Sequence, residues 1–377
     1  MMARLEEICA INMGQSPDSS TYNEDGNGLP FFQGNADFGE IYPAVRMWCS
    51  EPTKIAREKD ILISVRAPIG ALNIANCECC IGRGLAALTV NEDICAQEYL
   101  WHALSGKVDE LNSKGTGSTF KAINKKTLSE TEIPLPPIDE QRKIAAILDK
   151  VSDLIAKRQQ QLDKLDEMIK ARFMEIFGDS ETNTKNWRVL PMSKICSVGS
   201  SKRIYQSEQS SSGVPFWRIS DLTSLITTVT PELYIPEERY KELKTQGQVP
   251  APGDILITSR GTLGQCYIVK VNDRFYFQDG MISWLSGYMD GVTPLYISYL
   301  FTMPGFRKQI DSMQAGSTVA YLSITMIKKL KVMLPDIESQ QQFASFVSKT
   351  EKTKTTISRS LEKLETLKKA LMQEYFG

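Results

Sequence analysis

The chain of 377 residues contains a single histidine, His102. A Ser-His-Asp triad, a Cys-His pair or a histidine-rich metal site would each have to use it. It stands in Trp101-His102-Ala103-Leu104, on an expected helix, where a structural or surface role is the simpler assignment. Cys77-Glu78-Cys79-Cys80 could offer thiolates to zinc, but adjacent ligands rarely close a tetrahedron and no second cluster supplies the missing donors. Buried thiols of a strand are expected there. A methyltransferase would hold its target adenine in an (Asn/Asp)-Pro-Pro-aromatic loop. The nearest match, Leu135-Pro136-Pro137-Ile138, has neither the amide or carboxylate nor the ring, and reads as the entry turn of a helix. Gly115-Thr116-Gly117 begins like a dinucleotide fingerprint, without the later helix-packing glycine. No Gly-rich loop ending in Lys-Ser/Thr is present, so ATP-driven movement is not encoded here.

Composition sets the frame for these residues. Apolar content of 42% and charged content of 24% are ordinary for a globular protein, and the length suits two domains. A net charge of −1 gives no global attraction to nucleic acid or to an acidic membrane, so any basic surface must be local. The N-terminus MMARLEEICAINMG has no secretory pattern, and no run of about 18 apolar residues occurs. The eight cysteines suggest neither a disulfide framework nor a CxxC pair. A cytoplasmic protein with reduced thiols is expected.

The positioning elements are written twice. At a constant offset of 199 residues, Gly117-Ser118-Thr119 falls on Gly316-Ser317-Thr318, Pro136 on Pro335 and Gln141 on Gln340. Leu162, Lys164, Leu165, Lys170, Ala171, Glu175, Phe177 and Gly178 also find identical partners, with no gap. Two copies are too few for a solenoid, so the pattern implies a pseudo-twofold protein with two similar heads.

Each copy ends in a helical tail. Ile144, Leu148, Val151, Ile155, Leu162, Leu165, Ile169 and Ile176 alternate in steps of four and three, with Arg158 and Arg172 in the remaining slots. A 3.5-residue period over about five heptads predicts a long coiled-coil helix. Phe343, Val347, Ile357, Leu361, Leu364, Leu371 and Tyr375 repeat the register, with Thr350, Lys354 and Lys368 weakening the seam. Neither stripe can be buried alone, so the two tails are expected to form an antiparallel pair, a rod of roughly 50–55 Å with a head at each end.

The expected fold class is therefore α/β, with mixed α+β heads on an antiparallel coiled coil. The boundaries are 1–138 for the first head, 139–178 for its helix, 179–337 for the second head and 338–377 for the second helix. Within the heads, Asp60–Ser64 and Asp254–Thr258 read as buried strands, each followed by an arginine and a glycine turn (Arg66 to Gly70, Arg260 to Gly264). Further strands are expected at Leu85–Val90 and Met281–Leu285, and helices at Gln97–Leu111 and Pro294–Ser312. The heads diverge far more than the tails, as two modules reading different ligands would.

GSTFKAINKKTL followed by IPLPPIDEQRKIAAIL resembles the conserved region of specificity (S) subunits of type I restriction-modification systems. The DILISVRAPIG and CIGRGLAAL runs resemble the framework of their target recognition domains, and the likeness extends over essentially the whole chain. The resemblance implies a non-catalytic, sequence-specific DNA-binding subunit. Each head would read one half of a bipartite, asymmetric double-stranded target, and the helices would set the spacer and dock two methyltransferase (modification) subunits. Restriction/translocase subunits would add cleavage. No cofactor is expected on this chain; S-adenosylmethionine, ATP and Mg belong on the partner subunits, and no membrane is involved.

Arg and Lys suit guanine or phosphate, and Asn and Gln suit adenine. In the first head the candidates for DNA contact are Gln33 and Asn35 in the Phe32–Asn35 loop, Arg66, Arg83, and Lys114 and Lys121 around the Gly-Ser-Thr turn. In the second they are Lys202, Arg203, Arg218, Ser220, Arg260, Gln278 and Tyr321. Arg66 and Arg260 occupy matched positions, which suggests phosphate positioning or a framework role. Near-zero net charge implies that partners supply most phosphate neutralisation, so the chain alone should bind DNA weakly and in a salt-sensitive way. The alternatives are the adaptor of a combined restriction-methylation enzyme that cuts on both sides of its site, a fused methyltransferase or nuclease, and a coiled-coil scaffold carrying two protein-binding heads.

Overall fold

The computed structural model describes residues 1–117, 121–224, 232–314 and 320–377. The Gly-Ser-Thr turns therefore lie largely outside the described residues, at Ser118-Thr119 and Gly316-Ser317-Thr318. The chain forms two compact units, one built from residues 1–160 and 357–377, the other from 161–356.

In the first unit, a four-stranded antiparallel sheet orders Cys9–Met13, Leu85–Val90, Ile61–Ser64 and Leu72–Ile74. Successive side chains of a strand point to opposite faces, and here both faces are covered. Ile61, Ile63, Ala86 and Leu88 enter one apolar core, while Leu62, Leu85 and Ala87 enter a second. That double burial is why the run Ile61-Leu62-Ile63 has no polar alternation. The second core is closed by a five-stranded sheet ordered Tyr22–Asn23, Trp48–Cys49, Leu29–Phe32, Cys79–Ile81 and Ile55–Ala56. Within it Leu29–Phe32 and Cys79–Ile81 run parallel.

The second unit repeats this plan. Ser197–Gly199, Ile282–Ser286, Ile255–Thr258 and Cys266–Ile268 form the antiparallel sheet in the same spatial order. Ile255, Ile257 and Leu285 face one core, and Leu256 and Ile282 the other. A three-stranded sheet places Val214–Trp217 between Tyr234–Ile235 and Tyr276–Phe277, parallel to the latter.

The strand at Leu85–Val90 forms as expected, and that at Met281–Leu285 is shifted by one residue to Ile282–Ser286. Both expected head helices are interrupted. Gln97–Ser105 and Val108–Ser113 replace a single element, because Gly106 caps the first helix with its N–H shared between the His102 and Ala103 carbonyls. Pro294–Leu300 and Pro304–Ser312 are separated where Pro304, lacking an N–H, starts a new helix.

The two long helices are Ile138–Phe177 and Ile337–Phe376, of 40 residues each. The division between units falls inside both of them. In the second unit they run antiparallel: Asp166 meets Lys354 at 2.6 Å, the Arg172 guanidinium lies 5.9 Å from the Phe346 ring centroid, and Phe173 meets Phe343 at 5.3 Å. In the first unit Leu371, Met372, Tyr375 and Phe376 join the core containing Ile144 and Leu148. The expected seam is half-buried at Ile155, Leu162 and Leu165. Nearer the head, Phe173 and Phe177 are fully buried although they lie one residue off the Arg172/Ile176 register. The ring of Tyr296, on Pro294–Leu300, stacks on Phe173 and meets Phe177 edge-on at 4.9 Å, so a third element sets the buried face there.

The repeated glutamines explain part of the internal identity. Gln141 is fully buried; its carbonyl accepts from Ala96 N at 2.9 Å, and its amide donates to the Ile94 and Pro136 carbonyls. Gln340 does the same with Thr293 N, Gly291 O and Pro335 O. Each tyrosine of the neighbouring helix adds a second tie, Tyr99 to the Pro134 carbonyl and Tyr296 to that of Met333. These bonds fasten the first turn of each long helix to its head.

Candidate nucleic-acid interface

In the first unit the parallel strands Leu29–Phe32 and Cys79–Ile81 end side by side. Gly82 N donates to the Phe32 carbonyl at 2.8 Å and Gly84 N to the Gln33 carbonyl at 3.2 Å. A Cβ on Gly82 would sit 2.9 Å from Gln33 Cα, and one on Gly84 2.5 Å from Gln33 O, so only glycine permits this approach. The turn after Phe32 is closed by Asp37, whose carboxylate accepts from Gln33 N and Gly34 N. Arg83 is thereby held between two glycines beside Gln33.

Gln33, Asn35, Arg66 and Arg83 line one cleft of about 640 Å³ with Arg46 and Met47. Gln33, Arg66 and Arg83 are exposed, and neither Arg66 nor Arg83 has an ion pair among the described residues. Arg46 is held by the Ala36 carbonyl and lies 3.8 Å from Asp37. Three guanidinium groups around one carboxylate make the cleft locally cationic although the chain is not. Arg46 was not among the residues expected from sequence; nothing in AVRMW separates it from an ordinary surface arginine.

Lys114 and Lys121 lie on the loop beside this cleft. Ala67 N donates to the Lys121 carbonyl, and Arg66 is bridged to Ala122. Lys114 is occupied by Glu110 at 2.6 Å; that hydrogen bond holds the Glu110 carboxyl below its usual range.

The second unit carries the same backbone with different side chains. Gln278 N donates to the Trp217 carbonyl as Gly82 N does to Phe32, and Arg218 N donates to Asp221 as Gln33 N does to Asp37. Arg218 thus takes the place of Gln33, and Asp279 that of Arg83. Arg218 binds Asp221 and, at 2.7 Å, Glu232; Arg203 binds Asp279 at 3.0 Å. Ser220 is exposed next to Arg218, and Lys202 is exposed while its backbone is clamped on both sides by the Tyr276 hydroxyl. Arg260 lies 5.4 Å from the centroid of the Tyr321 ring. That pair matches Arg66 and Ala122, because Leu322 N donates to Ser259 O as Ile123 N does to Val65 O. Among the described residues, Arg203 and Arg218 of the second head are ion-paired, whereas Arg66, Arg83 and Lys121 of the first are not.

The other candidates for chemistry are structural. His102 is buried against Asp149 of the long helix at 2.7 Å. Cys79 and Cys80 are buried in their strand, and burial pushes the Cys79 thiol up to about 12. Leu135-Pro136-Pro137 leads directly into the helix that begins at Ile138. Among the described residues no helix is long and apolar enough to cross a membrane.

The type I restriction modification DNA specificity domain matches this chain twice, over residues 1–167 and 184–366. A putative type I restriction enzyme MjaX specificity subunit from Methanocaldococcus jannaschii is 43% identical over 180 residues, 48% of this chain and 42% of that protein. The putative type I restriction enzyme specificity subunit S.HindORF215P from Haemophilus influenzae is 27% identical over 250 residues, 65% of this chain and 62% of its own. The matches thus span 42% and 62% of the length of these two curated relatives. The crystal structure of a type I restriction-modification system S subunit from M. genitalium has the same fold, with a TM-score of 0.60 at 15% identity over 100% of this chain and 96% of that one. Two family matches that together cover most of the residues, on two heads of one plan, make this chain a member of the type I restriction-modification DNA specificity family.

Proposed function

We propose that this chain is the non-catalytic DNA-reading subunit of a type I restriction-modification complex. Each head, 1–138 and 179–337, reads one half of a bipartite asymmetric target. The helices 139–178 and 338–377 set the spacer and dock two modification subunits, to which restriction subunits add cleavage. S-adenosylmethionine, ATP and Mg act on those partners, in the cytoplasm. The observation that carries this reading is the pair of topologically equivalent strand ends that present different polar side chains on a shared backbone. A single head would suffice for a simple target, and identical heads would suit a palindrome. The DNA contacts in the first head are assigned to Gln33, Asn35, Arg66, Arg83, Lys114 and Lys121. Those in the second are assigned to Lys202, Arg203, Arg218, Ser220, Arg260, Gln278 and Tyr321.

The test is to express the chain with its modification subunit in a host lacking other adenine methylation, and to sequence the genome with methylation-sensitive long reads. The expected result is one split motif with two unlike halves and a fixed gap. Methylation without a motif, or S-adenosylmethionine binding by this chain alone, would refute the proposal.

A further inference from the structure

Resting on that reading, we infer that Gln33 and Arg218 are one and the same base-reading position in the two heads, set for adenine in the first and guanine in the second. The backbone equivalence is direct. Each residue follows the last residue of a strand paired in parallel, Phe32 with Ile81 and Trp217 with Phe277. Each has its N–H capped at 2.8 Å by the aspartate of the ensuing turn, Asp37 or Asp221. A framework position would be expected to keep its residue, as Arg66 and Arg260 do. A position that distinguishes the halves must change chemistry while its backbone stays fixed, and this one changes from amide to guanidinium.

The side chains suit the assignment. Gln33 is exposed at the cleft, and its amide has no partner among the described residues. It can offer the donor and acceptor that match adenine N7 and N6. Arg218 is held at Nε by Asp221 (3.3 Å) and at Nη2 by Glu232 (2.7 Å), while Nη1 has no partner among the described residues. Two carboxylates fix the guanidinium plane before DNA arrives, and the Nη1/Nη2 edge retains the two N–H groups that guanine O6 and N7 accept. Where the first head has Gln33 beside Arg83, the second has Arg218 beside Asp279, whose carboxylate is taken by Arg203 at 3.0 Å.

The test uses the full chain assembled with its modification subunit, and reads the methylated motif of wild type, Gln33→Arg, Arg218→Gln and Gln33→Ala. Gln33→Arg should shift preference at one base pair of one half from A·T to G·C, by about 5- to 150-fold, with the other half unchanged. Arg218→Gln should make the reverse change in the other half. Should Gln33→Arg direct no methylation, Gln33→Ala decides, and it should lose preference at that single pair. Gln33→Arg or Arg218→Gln that keeps the original motif intact, or Gln33→Ala with wild-type melting that keeps it or loses methylation at every site, overturns the inference. If the wild-type complex itself shows no motif, the broader functional reading has failed instead.

Discussion

Replacing Gln141 by methionine isolates what the repeated glutamine does. Methionine fills a similar volume, so the main loss is three hydrogen bonds, one accepted from Ala96 N and two donated to Ile94 O and Pro136 O. Ala96 N is the costly partner, because it stands at the start of helix Gln97–Ser105 and is left as a buried donor. An orphaned buried N–H costs about 1–3 kcal/mol, and the two carbonyls, each with a second lone pair, less. Added apolar burial offsets part of this, leaving roughly 2–4 kcal/mol of destabilisation. For a unit of this size that corresponds to a fall of roughly 5–15 °C in Tm. Urea unfolding of the full chain followed by far-UV circular dichroism would measure it. Gln340→Met should do the same through Thr293 N, Gly291 O and Pro335 O. The two sites lie in separate compact units, so the double variant should be additive to within about 0.5 kcal/mol. A change below about 0.5 kcal/mol for either single variant would refute the fastening role assigned to these residues.

Phe376→Ala should cost about 3–5 kcal/mol in the same unfolding assay, since its ring is buried 5.2 Å from that of Tyr99; a surface-like value would remove it from the core. A double-mutant cycle on Asp166 and Lys354, whose side chains are 53% and 22% exposed, should give no more than about 1 kcal/mol and shrink with salt. Gln substitution of Arg66 or Arg83 should lower the salt slope of DNA binding by about one each, measured by fluorescence anisotropy on the assembled complex. One heptad added in register to both long helices should lengthen the recognised gap by roughly 3 base pairs, about 10.5 Å, as read from the methylated motif. Burial holds the thiols of Cys9, Cys79, Cys95 and Cys196 at about 12. Only on the order of 10⁻⁴ of each is thiolate at pH 8, so alkylation followed by mass spectrometry should label them only after unfolding.

The long helices were legible because a 3.5-residue period and a gapless repeat are local properties of the chain. Strands such as Leu85–Val90 were legible as apolar runs for the same reason. The interruptions at Gly106 and Pro304 could have been read from the residues themselves. The identity of Gln141 and Gln340 was visible, but not its purpose, which depends on carbonyls and amides far away in sequence. The cleft was only partly legible: Gln33, Asn35, Arg66 and Arg83 were chosen by residue type, whereas their convergence depends on Leu29–Phe32 pairing with Cys79–Ile81. The pairing of Arg218 with Glu232 and of Arg203 with Asp279 was invisible for the same reason. Phe173 and Phe177 escaped the heptad pattern because a third helix, not the partner helix alone, determines which face is buried there.

The first unit takes closing side chains, Leu371, Met372, Tyr375 and Phe376, from a segment separated from residues 1–160 by the whole second unit. During synthesis, residues 1–160 emerge early yet lack those groups until residues 161–370 have been translated. Tyr99 and its neighbours must wait with one flank uncovered, and contacts of such long sequence separation form slowly. Nascent copies of this protein should therefore depend on holding chaperones until that segment has emerged.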